Sequence, residues 1–393
     1  MTRRIAVFTG NRAEYGLLSP VLQAISKEPA LKLQLIVGGA HLDATYGRTR
    51  DEILADGFEI SAEVSAGLGE DTARAIGEGI LAVADVLDDL KPDVVVVYGD
   101  RFEAFAAVIA ASQSNIPVAH IEGGDKTEGG ALDDSVRHAM TKLAHIHFAT
   151  NPKAALRIAA MGEETWRIHD VGLPGIDRIK AGDFPDADEV ASTLGLDLSR
   201  PVILFTQHAI TTEPHLAAAQ LAPSLAAMER AIAEYGAQIV ATYPNNDDGG
   251  EVILERLKVW ADKQPQVVLR QSLGRALYHG TLNVAGRITR GACIGNSSSG
   301  LKETPAFACP TVNIGTRQSG RLAAENVLNV DYDEEEISNA LTRCIADDEF
   351  RLISATCANP YGDGNTGPKI VEVLKTMDIS DARLLQKKLT LDP

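Results

Sequence analysis

Lys91-Pro92-Asp93-Val94-Val95-Val96-Val97-Tyr98-Gly99-Asp100-Arg101 is the stretch on which the fold turns. Lys91-Pro92 stops a helix, because proline cannot continue the backbone ladder. The run that follows, Asp93–Val97, shows no polar alternation after its opening aspartate. A continuous β-branched run of this length predicts a central parallel strand buried on both faces. Upstream, Ile76, Ile80, Val83 and Leu87 recur at three- and four-residue spacing and predict a helix over Asp71–Leu90. Downstream come a helix at Glu103–Gln113, a strand at Val118–Ile121, a helix at Asp133–Leu143 and a strand at Ile146–Ala149. The chain opens with a buried strand at Ile5–Thr9, a loop at Gly10–Gly16, a helix at Leu17–Ser26 and a strand at Leu33–Val37.

Residues 171–200 are rich in Gly, Pro and acids, as in Val171-Gly172-Leu173-Pro174-Gly175, and predict a domain boundary. A second alternating series follows: strand Val202–Phe205, helix Leu216–Tyr235, strand Gln238–Ala241 and helix Gly250–Lys263. Strands at Val267–Leu269, Ala292–Ile294 and Thr311–Asn313 complete it. Two βα series either side of one boundary predict an α/β protein of two Rossmann-like, doubly wound domains. Ligand is then expected in a central cleft, at the C-terminal strand ends. Neither Gly-x-Gly-x-x-Gly after the first strand nor Gly-x4-Gly-Lys-Ser/Thr is present.

The 393 residues are long enough for two to three domains, and a hydrophobic content of 45% supports large cores. Basic residues number 37 against 54 acidic, a net charge of −17, which disfavours broad nucleic-acid or anionic-membrane binding. The apolar run Ile5–Phe8 is too short for a signal peptide, and no run of about 18 apolar residues exists to span a membrane. Cys293, Cys309, Cys344 and Cys357 form no Cys-x-x-Cys pair and read as reduced thiols of a cytoplasmic protein. His120, His138, His145 and His147 lack a ligand spacing such as His-Glu-x-x-His, so no metal and no cofactor are expected. His145 and His147, in a strand-like segment, read as structural.

Gly295-Asn296-Ser297-Ser298-Ser299-Gly300, between an apolar run and Leu301-Lys302-Glu303, carries the chemistry. Small residues at a strand-to-helix junction leave backbone N–H groups free to face an anion, or simply cap a helix. Glu303, one turn in, is placed to accept from ribose hydroxyls. Asp100 and Glu122 each end a predicted strand, so both carboxylates are expected to face one crevice. Asp133 and Asp134 open the next helix; Asp133 joins the converging acids and Asp134 takes a neutral or capping role. Converging carboxylates shift one another's pKa values, which suits general acid/base chemistry. His208 ends the first strand of the second series. Arg12, in the first loop, suits phosphate or pairs with Glu14, and Arg317 and Arg321 are candidates for phosphate or sugar.

Taken together, Gly10–Gly16, Tyr98–Arg101, His120–Gly124, Asp133–His147, Gly172–Asp177, Gly295–Glu303, Asn313–Arg321 and Asn359–Gly364 resemble the hydrolysing UDP-N-acetylglucosamine 2-epimerase family. The resemblance implies a GT-B-like architecture. Its N-terminal domain, residues 1–178, would carry the catalytic carboxylates and be joined by a C-terminal helix over 366–393; residues 179–365 would form the nucleotide-binding domain. It further implies that Asp100, Glu122, Asp133 and His208 act in catalysis. Arg12, Asn296, Ser298, Ser299, Gly300, Glu303, Arg317 and Arg321 would bind a nucleotide-sugar substrate, and the chain would form a homodimer or homotetramer. The implied reaction releases nucleoside diphosphate and a free 2-epimer through a glycal. A non-hydrolysing epimerase, a GT-B glycosyltransferase and a nucleotide-sugar-binding regulator are the alternatives. The chain departs from the family in carrying Ala209 where proline is usual, and in Gly280–Gly291, which matches less clearly.

Overall fold

The computed structural model describes residues 2–43, 49–64, 71–126, 132–210, 212–245 and 247–391. The chain forms two compact units, one of residues 1–178 with 361–393 and the other of residues 179–360. In the first, strands β1 (Arg3–Thr9), β2 (Leu31–Gly38), β3 (Ile60–Val64), β4 (Val94–Tyr98), β5 (Val118–Ile121), β6 (Ile146–Ala149) and β7 (Ile168–Asp170) pair in the order β3-β2-β1-β4-β5-β6-β7. Helices α1 (Arg12–Lys27), α2 (Arg50–Ala55), α3 (Thr72–Leu90), α4 (Phe102–Gln113), α5 (Leu132–Leu143), α6 (Pro152–Ala160) and α7 (Pro174–Lys180) alternate with them. Successive residues of β4 enter opposite cores. Val94, Val96 and Tyr98 pack with α1 residues such as Leu18 and Leu22, whereas Val95 and Val97 pack with Val83, Leu87 and Val108. That double burial is why the valine run is unbroken.

The second unit holds α8 (Ala187–Leu194), β8 (Val202–Thr206), α9 (Ala217–Tyr235), β9 (Gln238–Thr242), α10 (Gly250–Ala261), β10 (Val267–Arg270) and α11 (Gly274–Asn283). It continues through β11 (Ala292–Gly295), α12 (Ser299–Lys302), β12 (Thr311–Ile314), β13 (Val327–Val330), α13 (Glu334–Ala346) and α14 (Asp348–Thr356). Its sheet runs β10-β9-β8-β11-β12-β13. In both sheets the strand order reverses once, between β1 and β4 and between β8 and β11. Those two points are where an open parallel sheet presents a crevice to ligands. Among the described residues no helix is long and apolar enough to cross a membrane.

Two expectations are corrected. Arg12–Gly16 is not a loop but the first turn of α1, because Asn11 caps it: its side chain accepts from Glu14 N at 3.0 Å, while Glu14 reaches back to Gly10 N at 3.1 Å. This reciprocal pair satisfies donors that a helix start otherwise leaves open. The C-terminal helix, α15 (Thr366–Thr376), ends well short of 393. Beyond it the chain crosses the first unit as an irregular strap. Arg167 donates to the carbonyl of Leu384 at 2.8 Å, Lys387 to that of Lys142 at 2.7 Å, and Thr390 N to that of Gly162 at 3.1 Å.

The return of the chain is held by backbone contact. Gly172 (φ +90°) and Gly362 (φ +114°) lie so close that a Cβ on Gly362 would sit 2.9 Å from the Gly172 Cα. Leu173 N donates to the Tyr361 carbonyl at 2.6 Å. Asp177 accepts from Thr366 N at 2.9 Å and Gly367 N at 2.7 Å, capping α15 from a distant part of the chain. α15 then packs on α1 through Ile370, Val371 and Leu374. Gly362→Val should therefore lower stability by about 2 kcal/mol or more, and Asp177→Ala by about 1 kcal/mol, read as shifts of the urea midpoint at unchanged m-value.

Under the strap, Glu163 meets His147 Nε2 at 3.1 Å, Lys387 Nζ at 2.7 Å and Lys142 Nζ. Burial pushes the Glu163 carboxyl up, but these three partners outweigh it and hold it at about 2, against an ordinary 4.5. Between those values the unfolded chain binds more protons than the folded one. The contribution of Glu163 is thus complete above pH 4.5 and is lost as pH falls towards 2. An acid titration followed by circular dichroism should show this limb, and Glu163→Gln should flatten it while lowering stability at neutral pH.

Candidate active site

In the first unit the residues at issue follow β4 and β5. Asp100 lies just past β4, after Gly99 in left-handed backbone (φ +73°). His120, on β5 and fully buried, fixes that turn by donating from Nε2 to the Gly99 carbonyl at 2.7 Å, with Nδ1 3.2 Å from Thr141 Oγ1. Burial pushes the His120 imidazole down to about 3, so it is a neutral support. Glu122, the first residue after β5, is one of the few non-glycine residues at positive φ (+67°). Its N–H donates to the Phe148 carbonyl at 3.0 Å. A β-free residue would adopt this backbone at lower cost, so the strain is tolerated for the carboxylate.

Arg137, on α5 with only 8% of its side chain exposed, collects the acids. It is ion-paired with Asp100 and with Asp134, the latter at 3.0 Å, and the charges of Glu122 and Asp125 also act on it. Burial pushes the Asp100 carboxyl up and Arg137 pulls it back, leaving it above the ordinary aspartate value. Burial likewise pushes the phenol of Tyr98 far up, and neighbouring Glu122 adds to this. The structure thus joins Asp100 and Asp134 through one guanidinium. Asp133 instead sits exposed on α5, and Asp134 is no cap but the third residue of the helix. Arg137 was not singled out from the sequence. The Asp134–Arg137 spacing of three on a helix is the signal that could have found it. Arg12 is exposed and paired with Glu52 at 3.0 Å, not with Glu14.

In the second unit the loop after β11 begins at Gly295 (φ +125°), where a Cβ would collide with the Thr206 carbonyl. Ser297, Ser298 and Ser299 have backbone N–H groups without an acceptor among the described residues, whereas Gly300, Leu301 and Lys302 N close the short α12 turn. A four-residue helix supplies little dipole, so anion binding here rests on free N–H and hydroxyl groups. Asn296 is 1% exposed and its side chain clamps His208: Oδ1 accepts from His208 N at 2.7 Å and Nδ2 donates to His208 O at 2.9 Å. Its side chain is therefore a support for the loop pair, not an open ligand group.

His208 Nδ1 accepts from Asn245 N at 3.0 Å, which leaves the ring proton on Nε2. Burial, reinforced by the charge of Arg317, pushes this imidazole down to about 4. At neutral pH it is a hydrogen-bond donor without charge. Arg317 donates to the Asn296 carbonyl at 3.1 Å, and Arg321 to Gln318 Oε1 at 2.7 Å, while Gln318 Nε2 also reaches the Asn296 carbonyl at 2.9 Å. Glu303 accepts from Ser299 Oγ at 2.7 Å and lies 3.3 Å from His279 Nε2. His279, on α11, was also not singled out, since it lies just before the stretch that matches the family less clearly.

The sequence profile of UDP-N-acetylglucosamine 2-epimerase matches residues 23–375. A UDP-N-acetylglucosamine 2-epimerase of Neisseria meningitidis serogroup B is 35% identical over 359 residues, covering 88% of this chain and 90% of its own. The UDP-N,N'-diacetylbacillosamine 2-epimerase (hydrolyzing) of Legionella pneumophila is 34% identical over 383 residues, covering 96% and 97%. Among solved structures, a UDP-GlcNAc 2-epimerase from Neisseria meningitidis bound to UDP-GlcNAc superposes with a TM-score of 0.77 at 20% identity, covering 95% of this chain and 99% of its own. The two parallel-sheet units are those of the GT-B-like epimerase structures. With the profile spanning most of the chain and relatives above 30% identity along nearly its whole length, this chain belongs to the UDP-N-acetylglucosamine 2-epimerase family.

Proposed function

We propose that the chain is a hydrolysing 2-epimerase of a UDP-linked 2-acetamido sugar, releasing UDP and the free 2-epimer. The observation that carries the reading is the buried Arg137 with Asp100, Glu122 and Asp134 around it, a set of carboxylates built for proton transfer at the strand ends of an epimerase-family unit. The naming of the Legionella relative as hydrolyzing supports the same reading. In this mechanism the C1–O bond breaks and its electron pair leaves with UDP. Positive charge grows at C1, which acidifies the C2 hydrogen, and a carboxylate takes that proton as the C1–C2 double bond forms. A second acid then delivers a proton to the opposite face of C2, and water adds to C1, giving up its extra proton to a neighbouring carboxylate.

Asp100 suits the base: burial raises its affinity for a proton, and the ion pair with Arg137 pulls against that rise. Asp134 takes the partner proton-transfer role in place of Asp133, because it shares Arg137 with Asp100, and Glu122 stabilises the cation. Ser298, Ser299 and Gly300 supply the diphosphate-facing loop, and neutral His208 donates from Nε2 to the leaving group. Arg317 and Arg321 offset its charge.

Incubation with UDP-N-acetylglucosamine and with its 2,4-diacetamido-6-deoxy counterpart in deuterated water, followed by NMR, tests the reading. The expected products are UDP and a free 2-epimer carrying deuterium at C2. An epimerised nucleotide sugar with no UDP release would instead make the chain a non-hydrolysing epimerase. Asp100→Asn should lower turnover by at least about 10²-fold with UDP affinity nearly unchanged. Asp134→Asn should cost far more turnover than Asp133→Asn; equal losses would remove Asp134 from the mechanism.

A further inference from the structure

Glu303 is anchored through one oxygen only. Both Ser299 Oγ, at 2.7 Å, and His279 Nε2, at 3.3 Å, meet Oε2, so Oε1 accepts from no described residue. The carboxylate keeps 24% of its side chain open, whereas His279 is 6% exposed. His279 arises from α11, a different element from the loop, and its ring packs on Phe307 with centroids 5.5 Å apart. Its Nδ1 is buried with no hydrogen-bond partner among the described residues, so within them the contact through Nε2 is the polar interaction that repays burying this ring.

We propose that His279 is a positioning residue for nucleotide recognition: it fixes Glu303 through Oε2 so that Oε1 is presented to the two ribose hydroxyls. The inference rests on Glu303 being the ribose contact in the function proposed above, and it assigns the specificity for ribose over deoxyribose to a pair, His279 with Glu303. Without His279 the carboxylate is held by the Ser299 hydroxyl alone, turns more easily about its terminal bond and loses a charge-assisted donor. Electrostatics agrees. Burial pushes Glu303 up, yet His279 and Ser299 hold it below the ordinary value, with Lys302 adding to the effect. Tyr278 and Cys293 are the other titratable groups facing it, and both are held in their neutral forms by burial.

Calorimetric titration of the full chain with UDP and with 2′-deoxy-UDP separates this from a merely structural role. Wild type should prefer UDP. His279→Phe preserves the ring stack on Phe307 but removes the donor, and should cut the preference for UDP over 2′-deoxy-UDP by about tenfold. His279→Gln, which returns an N–H, should restore most of it. In the phenylalanine variant UDP affinity should also begin to fall at a higher pH on acidification, as Glu303 loses the partner that keeps it ionised. An unchanged preference in His279→Phe would overturn the inference while leaving the proposed function standing. If that variant does not fold, His279→Leu gives the same comparison. Wild type that binds UDP without preference would remove Glu303 from ribose recognition, and the inference with it. Wild type that binds neither nucleotide would instead overturn the proposed function itself.

Discussion

Every strand pairing in both sheets, among the described residues, is parallel. Parallel pairing sends each chain crossover back along one face, so the turns that follow the strands all gather at one edge of the sheet. Asp100 and Glu122 come from neighbouring turns of the first sheet, and His208 and Asn296 from neighbouring turns of the second. Residues 88 positions apart thereby become hydrogen-bond partners, as Asn296 and His208 are. The chemistry of each unit follows from that geometry before any single side chain is considered.

The two groups of polar residues are tuned in opposite senses. Around Arg137 the carboxylates are crowded, and burial raises Asp100 only as far as its guanidinium partner permits. Such a cluster is costly to break, since removing one partner leaves an uncompensated charge in a poorly solvated place. Around Asn296 a buried amide holds the backbone of His208, burial and the charge of Arg317 keep the imidazole neutral, and that guanidinium also donates to the Asn296 carbonyl.

The central strands were legible in the sequence because burial on both faces leaves no room for polar residues, as in Val94–Val97. Of the edge strands, β10 was legible, as Val267–Leu269, and the other three were not. β3 alternates exposed and half-buried positions up to Val64, β7 is three residues long, and β13 lies at the rim with Asn329 inside it, so none of the three shows a continuous apolar run. The candidate residues were found where small residues or acids directly follow a strand. Arg137 and His279 escaped because each is a lone charged or aromatic residue on a helix, and only the fold shows what it meets. Asn296 was legible as part of its loop, but the inward turn of its side chain was not.

The crossing of Gly172 over Gly362 sets an order for biosynthesis. Residues 1–178 leave the ribosome first, yet the cap on α15, the packing of Ile370 and Leu374 against α1, and the strap over Glu163 all come from residues made after the other unit. The first unit to be translated is therefore the last to be completed. During that interval the face of α1 bearing Leu18 and Leu22 lacks part of its cover, and apolar surface left open in this way favours aggregation of incomplete chains.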